Sequence, residues 1–159
     1  MKQRELSLLL KAAIVVTVLG TLLLLSFFAY SMGDEMRMEN PEVAYLFWPC
    51  LIFLWASSLP FFAALLLGWR IATDMGRNRS FCHENAQRLK WVCWLALLEA
   101  AVYIGAVVTL GVLHLASPGI ALLLLFTVAA GLVVAVIAAV LSHLVDKAVA
   151  LQQENDLTV

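Results

Sequence analysis

Charge is scarce in this chain: Asp, Glu, Lys and Arg together make up 13% of its 159 residues, against 64% hydrophobic ones. Surface helices of a water-soluble domain carry a charged face, so this shortage excludes the soluble globular class. Cysteine is nearly absent too. Cys50 falls near one end of an apolar run, Cys82 in a polar loop and Cys93 inside another run, so no two share a compartment that favours a disulfide. No pair of cysteines has ligand spacing, and His83, His114 and His143 lie too far apart along the runs and loops to share a metal. Glycine-rich phosphate loops, nucleophile motifs, internal repeats and low-complexity tracts are missing as well. No catalytic residue, cofactor or metal is expected, and the chain reads as a non-enzyme.

Four long apolar runs stand in place of those features, at 12–32, 44–68, 91–115 and 120–144. About 20 helical residues cross a hydrocarbon core roughly 30 Å thick, so each run is long enough to span a bilayer. The fold class that follows is all-α: a polytopic, antiparallel bundle of four transmembrane helices, one domain over 1–159 with a short tail at 145–159. A cleavable signal has a shorter apolar core than the first run, about 7–15 residues, so this run reads as an uncleaved anchor. Nine of the ten Lys and Arg residues lie in the N-terminus, the 69–90 loop and the tail, and only Arg37 lies in the loop at 33–43. The positive-inside bias then places both termini and the 69–90 loop in the cytoplasm.

Local signals fill in the path. Lys11 can lift its ammonium to the headgroups while its stem stays in the apolar layer. Gly33 is expected to end the first helix, and Tyr45, Trp48, Trp69 and Trp91 match interfacial belts. Pro60 removes one hydrogen bond from the second helix and leaves the Ala56 carbonyl without its usual donor, so Ser57, Ser58 or a neighbouring polar group should approach it. Ser80 reads as the N-cap of the third helix, with Glu84 in its first turn. The short 116–119 connection makes the third and fourth helices adjacent. Thr127, Gly131, Ala135 and Ala139 form a stripe of small residues that serves either contact with the third helix or a homo-oligomer seam.

Glu99 is the residue that an inert bundle would not choose. A carboxyl near the midplane costs about 2.5 to 3.5 kcal/mol on insertion scales, so it should face the bundle. Thr17, Thr21, Ser57, Ser58 and Tyr103 lie at similar depth and complete a candidate intramembrane polar site. Three readings stand: a structural contact, a contact with a partner subunit, or an ion or proton site in a small transporter or channel subunit. The basic loop with Arg77, Arg79 and Phe81 could meet anionic lipid or a partner. The tail Glu154, Asn155, Asp156, Leu157 could add to a partner's groove.

The segments Arg4 to Lys11, Trp55 to Phe62, Arg79-Ser80-Phe81 with Asn85 and Leu89, and the ending Glu154 to Val159 resemble a family of short bacterial four-helix membrane proteins, the domain-of-unknown-function family 2975. That resemblance implies a multi-pass protein of the bacterial cytoplasmic membrane and transfers no catalytic residues. It also implies a partner, because members are typically encoded beside a small Cro/C1-type helix-turn-helix regulator. Such a regulator would dock on Arg77, Arg79, Phe81, Glu154, Asn155, Asp156 and Leu157, with no direct nucleic-acid binding by the membrane protein itself.

Overall fold

The apolar runs at 12–32 and 120–144 lie wholly within helices longer than themselves, and those at 44–68 and 91–115 overlap helices of 30 residues each. In the computed structural model the order is α1 (Gln3–Glu39), α2 (Phe47–Gly76), α3 (His83–Val112) and α4 (Pro118–Asp156). The structure describes residues 3–39, 47–77, 82–113 and 118–156, except for the side chains of 28–39, 47, 155 and 156. All four helices are long and apolar enough to cross a membrane. At 1.5 Å per residue the 39 residues of α4 extend for about 58 Å, nearly twice the thickness of a hydrocarbon core. The surplus length of α4 follows the 120–144 run, so the expected tail begins as a direct continuation of the helix.

Two boundaries differ from expectation. α1 does not stop at Gly33; it continues to Glu39. A single helical glycine costs only about 1 kcal/mol, and the Glu, Met and Arg residues that follow are good helix formers. At the start of α3 the N-cap is Cys82, not Ser80, which lies outside the described residues. Cys82 is extended (φ −133°, ψ 150°) and makes no side-chain cap bond. Its carbonyl instead accepts the Asn85 and Ala86 N–H groups at 3.1 and 3.3 Å, so the backbone alone starts the helix. Pro118 opens α4, where its missing N–H costs nothing.

Among the described residues only consecutive helices touch: α1 meets α2, α2 meets α3, and α3 meets α4. The contacts are antiparallel. The start of α1 meets the end of α2, where the Ser7 hydroxyl donates to the Ala72 carbonyl at 2.6 Å. The start of α3 meets the later part of α4, where the Ser142 hydroxyl donates to the Ala86 carbonyl at 2.9 Å. Ala72 and Ala86 are wholly buried, and Asn85 and Ser142 nearly so. All these residues lie toward the end of the bundle that carries both termini. Small side chains there let one helix backbone come within reach of a serine on the next, and a carbonyl already used in its own helix has a second lone pair to offer.

Packing along the spans is sparser. Phe27, Leu23, Val112 and Phe126 are among many large apolar side chains that face outward. The α3–α4 seam rests on small residues: a Cβ on Gly131 would lie 3.6 Å from the Ala96 carbonyl oxygen and 3.8 Å from the Ala100 Cβ. Ala135, Ala138 and Val128 are buried beside it. The centre of the small-residue stripe is therefore engaged within the chain. At its ends, Thr127 bonds back to the Leu123 carbonyl at 3.0 Å and Ala139 is exposed.

Gly76 marks the closest approach of α1 and α2, since a Cβ there would lie 2.8 Å from Ser7 Oγ and 3.3 Å from Ser7 Cβ. Gly76→Ala should lower stability by about 1–3 kcal/mol, the usual cost of overpacking, despite the better helix propensity of alanine. In a double-mutant cycle read by thermal unfolding in detergent, Ser7→Gly should recover part of that loss.

Candidate functional site

Two polar regions interrupt the apolar surface. The first lies within the spans, between α2 and α3. Glu99 lines a cleft of about 170 Å³ together with Phe53, Ala56, Ser57, Pro60 and Val102. Pro60 cannot donate to the Ala56 carbonyl, so this carboxyl shares its cleft with the one turn of α2 that lacks a helical hydrogen bond. One turn further along α3, the Tyr103 hydroxyl is 3.3 Å from Ser57 Oγ. Ser57 spends its proton on the Leu54 carbonyl at 3.1 Å, so Tyr103 is the donor to Ser57. The Phe53 ring meets Tyr103 edge-on, with ring centres 6.2 Å apart.

The other expected members of this site fall elsewhere. Ser58 is buried, but its hydroxyl donates to the Trp55 carbonyl at 2.7 Å, and neither serine donates to Ala56. Thr17 is exposed and donates to the Ala13 carbonyl of its own helix at 2.8 Å. Thr21 lies on the same helix. Because α1 touches α2 alone, neither threonine is brought to Glu99.

The second region is at the termini-bearing end, where two cations of the basic loop, Arg88 and Lys90, are paired. Arg88 donates to Asp74 across the α2–α3 junction and to Asn85 Oδ1 at 2.7 Å. It also lies 3.7 Å from Glu84 one turn back. Lys90 donates to Asp146 Oδ2 at 2.8 Å, which ties α3 to α4, and His83 Nδ1 lies 3.4 Å from Asp146 Oδ1. Lys11 places its ammonium 5.3 Å from the centre of the Trp69 ring, so this snorkelling lysine also caps an aromatic face of α2. Asp146 stands two residues beyond the 120–144 run. The hydrogen bond from Lys90 holds its carboxyl below the usual carboxylate range against the opposing effect of desolvation, and the charges of Lys90 and His83 add to the lowering.

Asp74, Cys82 and Glu84 bring one ligand atom each to within 4.8 Å of one another, a grouping that could hold a metal ion. Arg88 already engages both carboxylates, so a cation is in place without one. This cluster, and the Lys90–Asp146 tie, escape sequence reasoning because their members come from different helices. A hint was available in the four-residue spacing of Ser142 and Asp146, which puts both on one face of α4.

Of the residues assigned to a partner, Arg77 is exposed in the turn after α2 and Glu154 is exposed on the last turns of α4. α2 and α4 do not touch among the described residues, so the two are not joined into one patch. Asn155 and Asp156 continue the α4 backbone. Arg79, Phe81 and Leu157 lie outside the described residues.

A family model described as "Protein of unknown function (DUF2975)" matches residues 31–159. The chain is also similar to a protein of Bacillus subtilis (strain 168) named "Uncharacterized membrane protein YoaS". The two are 28% identical over 155 residues, covering 94% of this chain and 95% of that protein. No solved structure matches. Four spanning-length apolar helices and a full-length similarity to a membrane protein make this a multi-pass membrane protein.

A carboxyl whose pKa is depressed on folding adds stability above its unfolded pKa and loses it as pH falls through the folded value. The unfolding temperature of the parent in detergent should therefore exceed that of Asp146→Asn by a margin that does not shrink between pH 7 and pH 5. The gap should close only as the pH drops below the ordinary Asp value of 3.8. A gap that already shrinks between pH 7 and pH 5 would show that Asp146 is not held by Lys90.

Proposed function

We propose, because this chain belongs to the DUF2975 family, that it is a non-enzymatic protein of the bacterial cytoplasmic membrane that holds a soluble helix-turn-helix transcription regulator at the inner face. The observation that carries this reading is the build of the termini-bearing end. All four helices have an end there, the tightest helix-to-helix ties are concentrated there, and α4 runs on to Asp156. Counted from residue 145, that extension adds about 18 Å of helix beyond the apolar run. The charge bias puts this end in the cytoplasm. A platform braced by buried hydrogen bonds can present a docking surface without rearranging, which lowers the entropic cost of binding. The helix-turn-helix identity of the partner rests on the family resemblance, and its contacts would fall in two separate places that the partner bridges, Arg77, Arg79 and Phe81 in one and the segment from Glu154 to Leu157 in the other.

A second reading draws on the cleft at Glu99, where an acid beside an unsatisfied turn of helix supports an ion or proton site in a small transporter or channel subunit.

Two measurements separate these readings. Deleting residues 154–159 should abolish co-purification of the regulator from the native host and leave the unfolding temperature of the membrane protein unchanged. Unchanged co-purification would count against the docking surface. In liposomes under a pH gradient, the transporter reading expects flux that Glu99→Gln abolishes and tail deletion spares, whereas the docking reading expects no Glu99-dependent flux.

A further inference from the structure

A second and larger opening lies between α3 and α4 at the termini-bearing end. It is an open groove of about 280 Å³ whose lining includes Lys90, Trp94, Ala139, His143 and Asp146. We infer that this groove seats the headgroup of a phosphatidylethanolamine molecule from the adjoining leaflet.

The layering of the groove argues for a lipid. Lys90 immediately precedes the 91–115 run and Asp146 follows the 120–144 run, so both sit at headgroup depth. Trp94 lies one helical turn deeper than Lys90, and Ala139 one turn deeper than His143. Polar groups therefore occupy the rim and apolar ones the floor, which is the order of a phospholipid from headgroup to acyl chain. Trp94 is largely exposed, at the depth where indole rings favour the glycerol and headgroup zone.

The charges at the rim select among lipids. The Lys90 side chain is 53% exposed and that of Asp146 is 29% exposed, and because Asp146 Oδ1 is enclosed an incoming group would approach it at Oδ2. Lys90 has three N–H donors and spends one on Asp146; the others can meet a phosphate, with His143 beside it. Asp146 supplies an acceptor for an ammonium bearing N–H groups. A cation and a carboxylate side by side complement a zwitterion: the Lys90–Asp146 pair carries no net charge to attract an anionic headgroup, and a choline headgroup offers no N–H. The groove, at about 280 Å³ and open to the outside, is large enough to admit a phosphoethanolamine group of about eight non-hydrogen atoms.

The test is native mass spectrometry of the full-length protein released from nanodiscs containing equal parts of phosphatidylethanolamine, phosphatidylglycerol and phosphatidylcholine. Phosphatidylethanolamine should be retained several-fold over the other two. The double variant Lys90→Gln/Asp146→Asn, which removes both charges and keeps polar side chains, should lose that preference. Equal retention of phosphatidylcholine, or stronger retention of phosphatidylglycerol, would overturn the assignment using the parent protein alone. So would a preference that survives the double substitution in a variant shown by its unfolding temperature to be folded.

Discussion

Hydrocarbon gives apolar side chains no reason to turn away from it, and every other feature of this molecule follows from that constraint. Helices in lipid associate through close packing and polar contacts, because the hydrophobic effect that drives soluble domains together is missing between them. The structure obeys this closely. Large apolar residues such as Leu23, Phe27 and Phe126 face outward, and most of the apolar positions that bury are alanines, among them Ala72, Ala86, Ala100, Ala135 and Ala138. Among the described residues only helices adjacent in sequence touch, an open arrangement that would leave a soluble protein with two wet apolar flanks but costs nothing where lipid covers them.

Polar ties then decide where the helices hold. Ser7 on Ala72, Arg88 on Asp74 and Ser142 on Ala86 link α1 to α2, α2 to α3, and α3 to α4 in turn. They share one end of the bundle, and Lys90 with Asp146 closes the last junction just outside the apolar run. Within the spans the α2–α3 contact has a counterpart in Tyr103 and Ser57, close to the cleft that holds Glu99. The termini-bearing end is thus the braced part of the protein, and the membrane-embedded part is the loosely packed one.

This distribution bears on function. A basic loop read as bare charge would suggest a patch for any anion, yet Arg88 and Lys90 are committed to Asp74, Glu84 and Asp146. What that end offers is a braced polar surface with a groove along its α3–α4 rim, and the proposed regulator and the proposed lipid headgroup would both meet it there. The four apolar helices and the similarity to a membrane protein place the chain among membrane proteins, and membership of a family of unknown function leaves its role to be argued from these residues.

Composition and run length by themselves determined that the chain is helical and crosses the membrane four times, because hydrocarbon thickness sets span length and an unpaired backbone cannot exist in lipid. They also singled out Glu99 and Pro60 as neighbours in depth, since rise per residue converts position into depth. Tertiary structure alone decided which groups at equal depth meet. Ser57 and Tyr103 reach each other while Thr17 and Thr21 remain on a helix that never touches α3. It alone placed Gly131 and Ala135 against α3, and matched Lys90 with Asp146 and Ser142 with Ala86. Depth is a one-dimensional quantity that a sequence can carry. The order of helices around the bundle and the rotation of each about its axis depend on contacts between segments far apart in the chain, and no local pattern encodes them.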